Sequence, residues 1–248
     1  MRPLQNSKGT TLVELMVSIT LLTILSLAAI SLLAPCARAY ITVQQQSRAQ
    51  TLADALVENL RLELENAVGE MRFAEASDTD SNKVYETLVS AETPRPAQGT
   101  ALEYSVFPNH VVMLDAGAVP PLTKQISETE TKTILTVEDA AKKQGYLHMR
   151  YFRDSQTVTE AKNGLAYAYT DIYAKGAYMN MKIGDITFYA RGWEQDDDKT
   201  VTRLTSLTVV ITIVSEKDPT VLCTQKAIIP LPGKPVYSAG PLLNDANE

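Results

Sequence analysis

"KGTTLVELMVSITLLTILSLAAISLLAP", residues 8–35, decides how the chain is organised. From Leu15 to Ala34 it holds twenty residues without a charge. As a helix, that run is roughly 30 Å long, about the thickness of a bilayer's hydrocarbon core. Arg2 and Lys8 precede it, and basic residues ahead of a span favour an N-terminus kept in the cytoplasm. Glu14 stands at the mouth of the run, where an ionised carboxylate is costly unless a partner charge reaches it.

Several kinds of segment share this outline. An ordinary secretory signal has a basic start, an apolar stretch and a small-x-small cleavage site, which Ala37-Arg38-Ala39 supplies. Its apolar stretch is shorter, however, about seven to fifteen residues. A lipoprotein signal needs a cysteine after small residues, and Leu33-Ala34-Pro35-Cys36 comes close, with Pro35 where glycine or alanine is expected. A plain anchor fits the length but gives Gly9 and Glu14 no purpose.

Lys8-Gly9, then Thr10-Thr11-Leu12-Val13-Glu14, then the long apolar run, resembles the class III signal of type IV pilin-like proteins. That family comprises major and minor pilins, type II secretion pseudopilins and competence pseudopilins. The resemblance implies that a membrane prepilin peptidase cuts after Gly9 and methylates the new amino group of Thr10. Glu14 then becomes the fifth residue of the mature chain, where the family carries its glutamate. Thr10 stands where the family most often has phenylalanine or methionine. The implied partners are prepilin peptidase, other pilin or pseudopilin subunits, an inner-membrane assembly platform and membrane lipid. The implied place is a single pass of the inner membrane with a cytoplasmic N-terminus, followed by a periplasmic or cell-surface filament.

Within such a filament, the free amine of Thr10 on one subunit can pair with Glu14 of its neighbour. An unpaired buried charge penalises every other axial register, so the pair acts as an assembly charge. The plain alternative is a carboxylate at headgroup level, solvated and of little consequence.

Beyond Pro35, which removes a backbone donor and is expected to end or kink the apolar helix, the pattern changes. Leu52, Leu56, Leu60, Leu64 and Val68 recur every four residues, with Ala53, Val57, Ala67 and Met71 alongside. Asp54, Glu58, Arg61 and Glu65 occupy the opposite face. This is an amphipathic helix whose stripe packs on the protein's own sheet.

After about residue 73 the period becomes that of strands. Strand-like stretches cover 101–107, 111–114, 133–137, 145–153, 165–174, 183–191, 201–214 and 221–229, with one helical turn in "EDAAKKQ". Residues 74–100 read as a connection. "LTSLTVVITIV" is the clearest strand, with Leu207, Val209, Ile211 and Ile213 alternating against Ser206, Thr208, Val210 and Thr212. "SEKDPT" reads as the following hairpin turn, and the prolines of "PLPGKP" as the end of the sheet.

The fold class expected is α+β: a long N-terminal helix packed on a C-terminal antiparallel β-sheet, as in pilins. The corresponding division is a leader over 1–9, a membrane and assembly helix over 10–35, an amphipathic helix over 36–72, and a β-rich periplasmic or extracellular domain over 73–248.

The composition points away from other classes. A net charge of −6 lacks the basic excess of a nucleic-acid binder. Two cysteines, Cys36 and Cys223, and two histidines are too few for a disulfide scaffold or a closed zinc site. No phosphate-binding, zinc-protease or serine-hydrolase motif occurs, so neither enzyme activity nor a cofactor is expected. His110 and His148 read as structural.

Two features remain open. Asp196, Asp197 and Asp198 form an acidic loop that offers oxygen ligands to calcium, though adjacent aspartates lack the spacing of a calcium loop and suit a solvated turn equally. Seven of the eleven tyrosines lie between Tyr146 and Tyr189, and Tyr167, Tyr169 and Tyr173 suggest one strand face. Such a stripe is either the wall of a core or a contact surface for protein or glycan. The competing functional class is a membrane-anchored or secreted binding module or enzyme that uses the apolar segment as a tether or ordinary signal.

Overall fold

Leucine and alanine dominate residues 12–64, and the chain there forms one helix, α1 (Leu12–Leu64). The computed structural model describes residues 11–74, 98–107, 110–119, 121–125, 131–153, 168–198, 201–218 and 220–238. Two compact units divide the chain, Met1–Ser47 and Arg48–Glu248. In the first, α1 passes through Pro35 rather than ending there. The proline forfeits one backbone bond, to the carbonyl four residues back, and the strong helix formers on either side carry the helix across.

In the second unit the apolar stripe is buried as its period requires. Ala49, Leu52, Ala53, Leu56, Val57, Leu60 and Leu64 lie in the core, while Asp54, Glu58, Arg61 and Glu65 are exposed. The helix stops at Leu64, short of the stripe's extension to Met71, and Val68 is exposed. Ala67 and Met71 are still buried, because the chain turns at Glu65–Asn66 and continues as strand β1 (Glu70–Ala74).

Eleven further strands follow among the described residues: β2 (Gln98–Gly99), β3 (Ala101–Phe107), β4 (His110–Asp115), β5 (Leu122–Gln125), β6 (Thr131–Leu135), β7 (His148–Arg153), β8 (Ala168–Asp171), β9 (Met181–Gln195), β10 (Thr202–Ser215), β11 (Val221–Pro230) and β12 (Val236–Tyr237). Ten strands make one sheet in the order β2-β9-β10-β12-β1-β3-β4-β7-β8, with β11 also on β10. All its pairings are antiparallel except β1 with β12. The fold class is therefore α+β, a long apolar-led helix with an antiparallel-dominated sheet.

β10 bears out its alternation: Leu207, Val209, Ile211 and Ile213 are fully buried in the core that α1 shares. β10 and β11 form the hairpin expected around "SEKDPT", with Ser215 N–H donating to the Thr220 carbonyl at 3.2 Å. The chain does not leave the sheet at "PLPGKP": after this turn it returns as β12, seated between β10 and β1. The parallel strand is two residues long, too short for its pattern to register.

The opposite face of the sheet is covered over β4 and β7. Val111 and Phe152 there pack with Val119, Leu122, Leu135 and Ala140, which come from the β5–β6 hairpin, its approach and α2 (Val137–Ala141). Thr136 caps α2, its hydroxyl accepting from the Asp139 N–H at 3.2 Å. That cap ends β6 at Leu135, earlier than the strand pattern extends. β8 likewise stops at Asp171, so Tyr173 lies beyond the strand and not on one face with Tyr169; Tyr167 is outside the described residues.

Candidate assembly segment and the polar centre of the sheet

The start of α1 is built by its own sequence. Thr11 precedes the first helical residue, and its hydroxyl accepts from the Glu14 N–H at 3.3 Å. The Leu15 N–H closes the first turn on the Thr11 carbonyl at 3.1 Å. Thr11-x-x-Glu14 is thus the spacing of a capping box, a signal readable in the sequence beside the processing motif. Glu14 falls in the first turn, where the helix dipole favours negative charge. Its carboxylate is exposed, and it makes no ion pair with any described residue. Gly9 and Thr10 lie outside the described residues.

Along the run, the apolar side chains from Leu15 to Leu33 stand exposed, with Leu25, Leu27 and Ile30 among them. Four of its five hydroxyls bond to carbonyls of the same helix. Ser18 donates to the Glu14 carbonyl, Thr20 to Met16, Thr23 to Thr20 and Ser31 to Ala28, each at 2.8 Å. A helix bonds its backbone internally, as crossing hydrocarbon requires, and α1 is long and apolar enough to do so.

The sheet holds a second concentration of polar groups. Register places Arg72, Glu103, Met113, Arg150 and Tyr169 in one row across β1, β3, β4, β7 and β8. Asp115, His148 and Asp171 form the next row. Asp115 and His148 are completely buried, and Arg150 nearly so. One Asp115 oxygen, Oδ2, accepts from Arg150 Nη2 at 2.7 Å. The other, Oδ1, accepts from the Gly117 N–H at 2.8 Å and lies 3.1 Å from His148 Nε2. His148 Nδ1 is 2.8 Å from the Tyr146 carbonyl, so this nitrogen carries the hydrogen. Burial pushes the Asp115 carboxyl upward, but His148 and Arg150 outweigh it and hold the carboxyl down at about 2.

This arrangement places a carboxylate, an imidazole and a guanidinium in contact, yet all three are shut from water. It ties the end of β4 to the start of β7. The histidine has a partner that sequence reading missed, because Asp115 lies 33 residues away. His110 is exposed at the start of β4.

The tyrosines serve mainly as core walls. Tyr169 stacks on His148 at 5.5 Å between centroids and donates to Asp171 Oδ1 at 2.6 Å. Tyr173 bonds to Asn59 of α1, and Tyr178 is fully buried, its hydroxyl accepting from the Leu147 N–H at 2.9 Å. Asp196, Asp197 and Asp198 sit exposed in the β9–β10 turn, and the described residues contain no group of three His, Cys, Asp or Glu side chains able to hold a metal ion. Cys36 and Cys223 are both free thiols, Cys223 donating to Gln50 Oε1 at 3.1 Å.

Comparison with known families matches the prokaryotic N-terminal methylation motif to residues 4–30, which contain Gly9, Thr10 and Glu14. No curated protein and no solved structure matches the chain. The chain thus carries a class III prepilin signal, and the long apolar helix behind it agrees with a type IV pilin-like precursor processed by prepilin peptidase.

Proposed function

We propose that this chain is a minor pilin or pseudopilin, a structural subunit of a type IV pilus-like or type II secretion-like filament rather than an enzyme. The observation that carries the reading is the methylation motif at residues 4–30 running directly into an exposed apolar helix. Prepilin peptidase cuts after Gly9 and methylates Thr10. The mature subunit waits in the inner membrane as a single pass, with residues 15–34 in lipid and the sheet domain outside.

Assembly then moves the helix from lipid into a bundle of like helices. Glu14 supports this step, since it is a carboxylate side chain exposed at a helix start and without an ion-pair partner among the described residues. The freed amine of a neighbouring Thr10 supplies the partner and sets the axial register.

The test is co-expression with a prepilin peptidase, followed by intact mass and N-terminal peptide analysis. The expected product begins at Thr10 and carries one added methyl group. A product that retains Arg2 and Lys8, or one cut after Ala39, overturns the proposal.

A further inference from the structure

A cleft of about 350 Å³ lies where α2 meets the loop after β8. Leu135, Tyr146 and Tyr173 give it apolar walls, and Asp139 and Asp171 face it together with three lysines, Lys142, Lys143 and Lys175. We propose that this cleft binds a neutral saccharide unit, a role that does not depend on how the N-terminal segment is used.

Charge decides against an anion. Each of the three ammonium groups is already paired: Lys142 with Glu138 at 2.8 Å, Lys143 with Asp171, and Lys175 with Glu216 at 2.6 Å. The lining itself carries Asp139 and Asp171 against the three lysines, but Glu138 and Glu216 at its edge neutralise Lys142 and Lys175, so no unpaired ammonium group attracts a phosphate or sulfate. The described residues offer no set of three metal-binding side chains, and five of the eight lining side chains are charged, which a wholly hydrophobic ligand would leave desolvated.

A sugar ring matches what is present. Its hydroxyls both donate and accept, and neighbouring carboxylate and ammonium groups satisfy both roles, since each carboxylate keeps acceptor sites beyond its existing bonds. Its C–H face packs on tyrosine, which presents an apolar ring with a polar edge.

The groups are held in place before any ligand arrives. Asp171 is fixed by the Tyr169 hydroxyl and Lys143. Tyr173 is fixed by Asn59 of α1, and Tyr146 by the edge-on ring of Tyr178 at 4.8 Å between centroids. Lys175 lies over the Tyr146 ring at 5.4 Å, its ammonium group held by Glu216. Preorganised groups lose little freedom on binding.

The experiment uses the full chain in a detergent without a sugar headgroup. Saturation-transfer NMR and titration calorimetry are run with glucose, galactose, N-acetylglucosamine, N-acetylgalactosamine and sialyllactose. Saturable binding of at least one neutral sugar is expected, weakened about tenfold or more by Lys175→Ala and by Asp139→Ala. Both side chains are exposed, and unchanged melting of these variants confirms an intact fold. The proposal is overturned if no neutral sugar saturates at concentrations on the order of 10 mM. Binding of sialyllactose alone, or undiminished binding by both variants, overturns it as well.

Discussion

Arg150 reaches Asp115 across the β4–β7 pairing, Nη2 to Oδ2 at 2.7 Å, with both side chains removed from water. A charge placed there is stable only while its counter-charge stays. Replacing both partners with well-packed apolar residues is a mild change, whereas removing one strands the other. Asp115→Asn is therefore expected to lower the stability of the sheet domain by about 3–5 kcal/mol, read by urea or thermal unfolding. A loss below about 1 kcal/mol would show that water reaches Arg150 despite its burial.

Acid sensitivity follows from the same carboxylate. Its folded-state value of about 2 lies below the ordinary 3.8, so the folded protein binds this proton less readily than the unfolded chain does. The resulting stabilisation is complete above roughly pH 4 and disappears as pH falls through about 2. Unfolding midpoints measured across this window should fall more steeply for the parent than for Asp115→Asn.

Glu14→Ala separates maturation from assembly. Cutting after Gly9 should persist, because the Thr11 cap uses the backbone N–H of residue 14 and survives the change. Recovery of the subunit in sheared filaments should drop severalfold, and Glu14→Gln, which keeps the shape but not the charge, should fail equally. Normal incorporation of Glu14→Gln would refute the pairing with the Thr10 amine. Gly9→Val should block the cut itself.

Gly233 lies in the turn before β12, where a Cβ would stand 2.3 Å from the Ala67 carbonyl oxygen. The obstruction is backbone, which cannot swing away. Gly233→Ala should cost about 1–3 kcal/mol by forcing the turn off the exit of α1. Gly176→Ala is the control, since nothing lies within 4 Å of its Cβ position.

What could be read in advance follows from the range of the forces involved. The α1 stripe and the alternation of β10 repeat over many residues, so each position confirms the next. β1, β5 and β12 are only 5, 4 and 2 residues long, and tertiary pairing rather than pattern makes them strands. The helix end at Leu64 was hidden because Ala67 and Met71 continue the apolar spacing while belonging to another element. Pro35 misled in the opposite direction, as a single lost bond does not stop a helix of strong formers.

The processing segment was legible because its signal is local: lysine, glycine, glutamate and an apolar run within thirty residues. The Asp115, His148 and Arg150 centre was not, because its partners meet only through strand register. One hint was present. His148 and Arg150 are two apart in "LHMRYF", so both face the same side of an otherwise apolar strand. Alternate polar residues on a buried strand ask for a partner on the neighbouring strand.

The hydroxyls of Ser18, Thr20, Thr23 and Ser31 bear on reversibility. A span that relied on polar contacts with neighbours would have to exchange partners each time its surroundings changed, and each exchange would add a barrier. Here these four hydroxyls keep their bonds on their own helix, whatever lies outside. The segment is thus portable between solvents: leaving hydrocarbon for a protein interior, or returning, changes its packing but none of these hydrogen bonds.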